Sequence, residues 1–223
     1  MVGINVTVAI PVGPEKRHAA YLDEALESVY RQTVQPFLVI VDDMHGLPQG
    51  YGGARVWHAP WRLGVPAAFN AGVALAPSEF VLMMGADDTL EPDCIERVVG
   101  AIERVGEGAC KRGMLYLPLR YMDTSEELSL ACNAAVVSKT LWRNTGGFAP
   151  ETAVGACDTM FVTLLMAHPE AGEIYPVGGK PLYNYRRHAE TDTASRGAWQ
   201  GLIFTARDLL AREWKQPNWG RYA

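Results

Sequence analysis

The sequence has no excess of basic residues and no long apolar segment. It contains 20 Lys and Arg against 25 Asp and Glu, a formal net charge of −5, so no overall positive charge attracts nucleic acid or an anionic membrane, although a local patch could. No run approaches the roughly 20 apolar residues of a transmembrane segment. Residues 1–5 lack the basic segment and apolar core of a signal peptide. We therefore expect a soluble, cytoplasmic protein.

The sequence also lacks a cysteine motif for zinc. Its four cysteines are scattered and form no C-x-x-C pair: Cys94, Cys110, Cys132 and Cys157. Reduced, mostly buried thiols are the simpler interpretation. The 223 residues, 48% of them hydrophobic, are enough for one large domain. We expect a single domain over 1–223.

Apolar runs of strand length alternate with helical periodicity in the first half of the chain. This alternation predicts an α/β fold with a mostly parallel sheet. The predicted strands are 6–12, 37–41, 55–58 and 80–84, and the predicted helices carry apolar residues over 22–30, 66–76 and 95–105.

The second half is less regular. Strands are predicted at 114–119 and 131–137, and Ser138 is placed to cap a short helix that ends at Gly146. Further helices are predicted at about 158–166 and 199–214. The last of these mixes acidic and basic residues on its polar face, so we expect it to dock onto the domain or onto a second subunit of a homodimer rather than a membrane.

Paired acids stand where two predicted strands end. Asp42 and Asp43 follow the second strand, and Asp87 and Asp88 follow the strand at 80–84. Open α/β sheets bind ligands at the carboxyl ends of their strands, and adjacent like charges cost energy unless a cation or a ligand uses them. The second pair predicts a divalent metal with the phosphates that it bridges. The alternative is that these acids only form turns or cap the next helix.

A glycine-rich loop at 46–53 does not bind phosphate in the manner of a P-loop. It has no Lys followed by Ser or Thr. We interpret it as a mobile connection at the rim of a site.

Eight stretches resemble, in order and spacing, the inverting family-2 nucleotide-sugar glycosyltransferases. The resemblance covers roughly residues 5–190 and implies the GT-A fold, a Rossmann-like three-layer α/β/α sandwich with a mostly parallel central sheet. The stretches are Val6–Val12, Leu26–Thr33, Val39–Asp43, Arg62–Gly72, Gly85–Asp88, Asn133–Val137, Gly146–Phe148 and Tyr185–His188.

The resemblance implies a nucleotide-sugar-binding half at about 1–112 and an acceptor-side half, with the C-terminal helix, at about 113–223. It also implies a metal-dependent donor site. Asp88 would ligate Mn²⁺ or Mg²⁺, which prefer carboxylate oxygens, and Asp87 would contact the ribose or sugar of the donor. His188 would be a third metal ligand, or else an ordinary exposed loop histidine. Pro11 and Val12, at the end of the first strand, would contact the nucleotide.

The resemblance also indicates which residues would contact the nucleotide base. Asp43 would hydrogen-bond the base, and Arg62 would contact its edge or the phosphates, unless Arg62 is a solvated surface residue. Gly13 stands where the family often has an aromatic residue that stacks on the base, so stacking would come from Trp57 or Trp61. A UDP-sugar is the favoured donor.

An inverting enzyme needs a general base that takes the proton of the acceptor hydroxyl. The family places an acid shortly after Gly146–Phe148, which selects Asp158, with Glu151 as the second choice. Asp158 would also suit a helix N-cap without any catalytic role. Two departures from the family are notable: Cys157 stands where a second acid is common, and Gly85 stands where many members begin the metal motif with another acid.

Two other functions remain open at this stage. The departures at Cys157 and Gly85 suit a catalytically silent nucleotide-sugar-binding protein. A sugar-phosphate nucleotidyltransferase would need a better glycine-rich, basic loop than Gly13–Arg17. The acceptor also stays open among a glycan, a lipid-linked sugar, a protein, a metabolite and a modified DNA base.

Overall fold

A mostly parallel sheet lies at the centre of the computed structural model, which describes residues 3–128, 134–148 and 173–187. In chain order the elements are β1 (Val6–Val12), α1 (Lys16–Tyr30), β2 (Phe37–Asp42), β3 (Arg55–His58), α2 (Val65–Leu75), β4 (Phe80–Met83), β5 (Thr89–Leu90), α3 (Cys94–Val105), α4 (Glu107–Cys110), β6 (Met114–Tyr116), β7 (Leu119–Tyr121), β8 (Glu127–Leu128), β9 (Ala135–Ser138), α5 (Lys139–Thr145), β10 (Ile174–Pro176) and β11 (Tyr183–Tyr185).

The large sheet has seven described strands in the order β10-β6-β9-β4-β1-β2-β3. Strand β9 runs antiparallel to both of its neighbours, β4 and β6. The other neighbours pair in parallel. A smaller sheet has the order β5-β11-β7-β8. The predicted α/β class with a mostly parallel central sheet is confirmed.

Helices cover both faces of the large sheet. Because successive side chains of a strand point to opposite faces, Ile10 of β1 packs in one core cluster and Ala9 in another. Leu22 of α1 and Val98 of α3 pack with Ile10. Val73 of α2 packs on the opposite face with Ala9. Full burial of such aliphatic side chains contributes about 1.5–3 kcal/mol each. The three layers that the GT-A resemblance implied are therefore present.

The predicted strand at 114–119 is two strands in two different sheets. Pro118 has no N–H group and cannot continue a strand ladder as a donor. Its carbonyl instead accepts hydrogen bonds from Leu182 N (2.8 Å) and Tyr183 N (3.2 Å). Strand β6 stays in the large sheet, and β7 moves to the small one, where it pairs with β11.

The local signals at α2 and α5 are confirmed. Pro66 lies in the first turn of α2. The Ser138 side chain accepts a hydrogen bond from Leu141 N at 2.9 Å, and Gly146 ends α5 in the left-handed conformation. In the ranges described above, no helix is long and apolar enough to cross a membrane. The helices predicted at 158–166 and 199–214 lie outside the described residues, and the division into two halves stays a prediction.

Candidate functional site

The carboxyl ends of β1, β2 and β4 meet at one edge of the large sheet. Val12 is in register with Asp42, and Asp43 N donates to Val12 O at 2.9 Å. On the other side of β1, Met84 N donates to Ala9 O at 3.0 Å. The two acidic pairs that the sequence singled out therefore follow strands that flank β1 on either side.

Asp88 is a buried carboxylate whose two oxygens are bound by Tyr183 of β11 and by Arg186, just after β11. It is 3% exposed. Its Oδ2 accepts a hydrogen bond from the Tyr183 hydroxyl at 2.6 Å, and its Oδ1 accepts one from Arg186 N at 2.8 Å. Burial, and then the charge of Asp87, raise the pKa of Asp88 to about 7, although the bonds from Tyr183 and Arg186 oppose this shift. A cation beside Asp88 would favour its ionised form.

Gly85 lies directly against the two carboxylates of the metal motif. A Cβ atom at this position would lie 2.6 Å from Asp88 Oδ2 and 3.0 Å from Asp87 Oδ1. The two oxygens therefore converge on one small volume that any side chain at residue 85 would fill. This close approach gives a physical reason for the missing acid at the start of the motif.

The donor set at Gly85 fits a hard divalent cation. Two carboxylate oxygens, Asp87 Oδ1 and Asp88 Oδ2, converge there, and oxygen is the ligand that Mg²⁺ and Mn²⁺ prefer. Across residues 3–128, 134–148 and 173–187 there is no group of three or more His, Cys, Asp or Glu residues placed to hold a metal. The third ligand suggested by the sequence, His188, lies outside these ranges.

Arg186 ties the end of β11 to the metal motif and to α1. Its Nε donates to the Asp87 carbonyl at 2.8 Å, and its Nη2 donates to Glu24 at 2.6 Å. The guanidinium lies 4.2 Å from the centre of the Tyr21 ring, a cation–π distance. The next residue faces elsewhere, because Arg187 pairs with Asp123 at 2.8 Å. Of the two arginines, Arg186 is the one beside the metal motif.

Asp43 is anchored on the segment that leads into α2. Its Oδ1 accepts a hydrogen bond from Leu63 N at 2.6 Å, and its Oδ2 accepts one from Gly64 N at 2.9 Å. Arg62 Nε lies 3.1 Å from Oδ2, and Arg62 Nη2 lies 2.9 Å from Glu15. Arg62 is therefore not an isolated surface arginine. It joins the loop after β1 to the acid at the end of β2.

Asp42 has a structural role. Its carboxylate accepts hydrogen bonds from the backbone N–H groups of His45, Gly46 and Leu47, and His58 Nδ1 lies 2.9 Å from Oδ2. Burial alone would raise the pKa of Asp42, but these bonds outweigh burial and lower it. The carboxylate fixes the turn after β2.

The glycine-rich loop at 46–53 packs on α1. Leu47 is buried, and Tyr51 donates to Asp23 at 2.8 Å. The Tyr30 hydroxyl donates to the Gly52 carbonyl. From its sequence this segment was predicted to be a mobile connection at the rim of a site. The contacts instead attach it to α1 on the face of the sheet that carries Asp42.

The two tryptophans proposed for base stacking differ in exposure. Trp57 packs against the cluster of Val39, Val41 and Ala68 beneath α2. Trp61 is 66% exposed and directly precedes Arg62. Of these two rings, only that of Trp61 is largely open to a ligand.

Asn70, which had no individual role in the sequence-based prediction, connects α2 to Trp142 and Phe148. Its Oδ1 accepts hydrogen bonds from Trp142 Nε1 (2.8 Å) and Phe148 N (2.9 Å), and its Nδ2 donates to Phe148 O (2.9 Å). Gly147, at φ +75°, passes so close that a Cβ would lie 2.6 Å from Asn70 Oδ1. The available signal was one amide within the apolar sequence of α2. Asn70 fixes the segment that precedes Glu151 and Asp158, both of which lie outside the described residues.

A mostly parallel α/β sandwich with acids at the carboxyl ends of two inner strands is the arrangement expected of a GT-A domain. Residues 7–113, just under half of the chain, match the model of the family described as Glycosyl transferase family 2. The resemblance to the family-2 glycosyltransferases is thereby confirmed. No curated protein matches the sequence.

Solved structures of Staphylococcus aureus TarS share the fold. TarS 1–349 in complex with UDP superposes with a TM-score of 0.70 at 16% identity, over 93% of this chain and 64% of that one. TarS 1–349 in complex with UDP-GlcNAc gives a TM-score of 0.69 at 15% identity, over 86% of this chain and 61% of that one. The chain therefore spans less than two thirds of the TarS chains that it matches.

Proposed function

We propose that this protein transfers a sugar from a nucleotide-diphosphate sugar to an acceptor hydroxyl, with inversion and with the help of Mn²⁺ or Mg²⁺. The observation that carries the proposal is the convergence of Asp87 Oδ1 and Asp88 Oδ2 above Gly85, on the sheet edge where Asp43 follows the neighbouring strand. The family match and the UDP and UDP-GlcNAc complexes of TarS support a UDP-sugar as the donor.

The nucleotide would lie across the ends of β1 and β2. Asp43 and Arg62 would contact the base, with Pro11 and Val12 beneath it. Each carboxylate oxygen has two lone pairs. Oδ2 of Asp43 already contacts Gly64 N and Arg62 Nε, whereas Oδ1 accepts from Leu63 N and can use its second lone pair for the base. In this arrangement the bonds from Leu63 N and Gly64 N orient the carboxylate before the donor arrives.

The diphosphate would lie over the metal motif. Asp88, together with His188, would hold the cation. Asp87, whose Oδ1 faces the same space, would add its negative charge beside the cation and contact the ribose or the sugar. A bound divalent cation would supply charge neutralisation for the departing diphosphate. Arg186 N is bonded to Asp88 Oδ1, and His188 follows two residues later in the chain. This connection supports His188 as the third ligand.

The acceptor would be activated from the second half of the chain. Asp158, or Glu151 in its place, would take the proton of the attacking hydroxyl as its oxygen approaches the sugar from the face opposite the diphosphate. Asn70 contributes by holding Phe148 against α2 through two hydrogen bonds. The acidic segment that follows would thus be directed toward the donor.

Ligand binding provides the first test. Thermal shifts would be measured with UDP, GDP, dTDP and CDP, each with and without Mn²⁺, because a ligand that binds only the folded state raises the unfolding temperature. We expect UDP with Mn²⁺ to give the largest shift. The absence of a shift with any nucleotide diphosphate would contradict the proposal.

Turnover provides the second test. Donor consumption would be measured for the wild type and for Asp88→Ala and Asp158→Ala, with Glu103→Gln, an exposed residue of α3, as the control. We expect both alanine variants to lose activity and the control to keep it. Full activity in both would exclude the mechanism. UDP binding without turnover over a broad acceptor panel would indicate a silent binding protein, and pyrophosphate release from a nucleoside triphosphate and a sugar phosphate would indicate a nucleotidyltransferase.

A further inference from the structure

Strand β11 holds the metal motif through one tyrosine hydroxyl. The Tyr183 side chain is 1% exposed. Its hydroxyl accepts a hydrogen bond from Gly85 N at 3.0 Å and donates one to Asp88 Oδ2 at 2.6 Å. One atom therefore orients both the backbone at the start of the motif and the carboxylate at its end.

The position of Tyr183 is itself fixed by neighbouring strands. Tyr183 is in register with Leu90 of β5 on one side and with Leu119 of β7 on the other. The adjacent Asn184 donates to Glu91 at 3.1 Å. A ligand-supporting group that is built on paired strands is held more precisely than one on a free loop.

The hold on Asp88 limits how this carboxylate can bind a cation. Oδ2 accepts from Tyr183 and Oδ1 accepts from Arg186 N. Each oxygen has two lone pairs, and one on each oxygen is already used. Of the two Asp88 oxygens, Oδ2 is the one that lies near Asp87 Oδ1, above Gly85. A cation at this place would therefore contact Asp88 through Oδ2. Contact through one oxygen suits a cation that needs six ligands in a tight octahedron.

We propose that Tyr183 is a positioning residue that makes this site prefer Mn²⁺ and Mg²⁺ over Ca²⁺. Ca²⁺ takes six to eight oxygen ligands and commonly uses both oxygens of a carboxylate, whereas Mg²⁺ requires a near-ideal octahedron with shorter bonds. By fixing the orientation of Asp88, the Tyr183 hydroxyl opposes two-oxygen binding. This inference rests on the cation site of the proposed function.

Tyr183→Phe removes the hydroxyl and keeps the buried ring. Binding of Mn²⁺ alone would be measured from the loss of its free-ion signal in electron paramagnetic resonance, and Ca²⁺ and Mg²⁺ would be measured by competition. Tyr116→Phe is the matched control, because Tyr116 is equally buried, at 1% exposed, and packs in the other core cluster.

We expect Tyr183→Phe to weaken Mn²⁺ binding by about tenfold, as is typical for residues that support a metal ligand. Ca²⁺ affinity should change little, so the ratio of Mn²⁺ to Ca²⁺ affinity should fall. Tyr116→Phe should leave this ratio at its wild-type value. A purely structural role would weaken both cations equally, and that result, or an unchanged ratio, would overturn the proposal.

The wild type alone also tests the inference if the variant does not fold. Equal affinity for Ca²⁺ and Mn²⁺, or no Mn²⁺ binding at all, would overturn it. These measurements contain no donor, so they are separate from the proposed function, which fails on donor turnover. A protein that selects Mn²⁺ but never consumes a UDP-sugar would keep the inference and lose the function.

Discussion

The two acidic pairs at the sheet edge look alike in sequence, but a buried member of the first, Asp42, and the buried member of the second, Asp88, are compensated differently. Asp42 accepts bonds from three backbone N–H groups and lies beside His58, and its pKa is lowered. Asp88 accepts bonds from two donors, the Tyr183 hydroxyl and Arg186 N. Its burial and the charge of Asp87 nevertheless raise its pKa. The hydrogen bonds of Asp42 stabilise its charged form. Asp88 lacks such compensation, and the cation of the proposed function would supply it.

The largest expected difference between the two acids is in activity. Asp88→Asn should lower donor turnover by about 10³-fold, because a bound cation supplies several kcal/mol of charge stabilisation. Its loss of stability without metal should be smaller than that of Asp42→Asn. The amide must turn its NH₂ group toward one of two donors, but it also removes a poorly compensated buried charge. Steady-state turnover and thermal unfolding measure the two effects. Wild-type turnover in Asp88→Asn would contradict the comparison.

Asp42→Asn should show the opposite behaviour. An amide in place of this carboxylate directs an NH₂ group toward donors such as Leu47 N, which lies 2.8 Å from Oδ2. We expect the free energy of unfolding to fall by about 3 kcal/mol, the cost of leaving buried donors unsatisfied. The folded fraction should still respond to Mn²⁺. Urea unfolding with and without Mn²⁺ gives both values, and loss of the Mn²⁺ response alone would reverse the assignment of the two acids.

The pH dependence of stability should also separate the two acids. The pKa of Asp88 rises from 3.8 to about 7 on folding without metal. The stability that its protonated form provides is therefore complete below about pH 4 and is lost as the pH rises toward 7. Relative to Asp88→Asn, the wild type should lose about 3 kcal/mol between pH 4.5 and 7.5. Asp42 has a lowered pKa, so its contribution is present above pH 4 and is lost only in stronger acid.

Thermal unfolding of the wild type and Asp88→Asn across this range, without metal, checks the difference. Added Mn²⁺ should stabilise the wild type more at pH 7.5 than at pH 5, because the cation competes with a proton for the same carboxylate. Parallel pH profiles for the two proteins would contradict the assignment.

The sequence predicted the strands of the first half well and the support of the site poorly. Strand β1 was predicted at its observed limits, 6–12, because a long β-branched run has no competing helical pattern. Strands β5 and β11 have two and three residues, too few for any periodicity. Tyr183 therefore gave no local signal of its contact with Asp88, 95 residues away in the chain. The position of an acid after a strand is a local property, whereas its compensation depends on distant contacts.

The smallest expected effect that distinguishes the two acidic pairs is that of a substitution at Gly85. No side chain fits at this position, because a Cβ would lie 2.6 Å from Asp88 Oδ2. Gly85→Ala should push the carboxylate away from Tyr183 and cost about 1–2 kcal/mol of stability, as is typical of overpacking. Mn²⁺ binding should weaken with it. Gly46 lies in the turn that Asp42 holds and has no atom near its would-be Cβ, but its φ is +90°, so Gly46→Ala should cost stability without affecting Mn²⁺ binding. Mn²⁺ titration of both variants measures this. If Gly85→Ala binds Mn²⁺ as the wild type does, the convergence of Asp87 and Asp88 above Gly85 is not the cation site, and the contrast between the two acidic pairs is only structural.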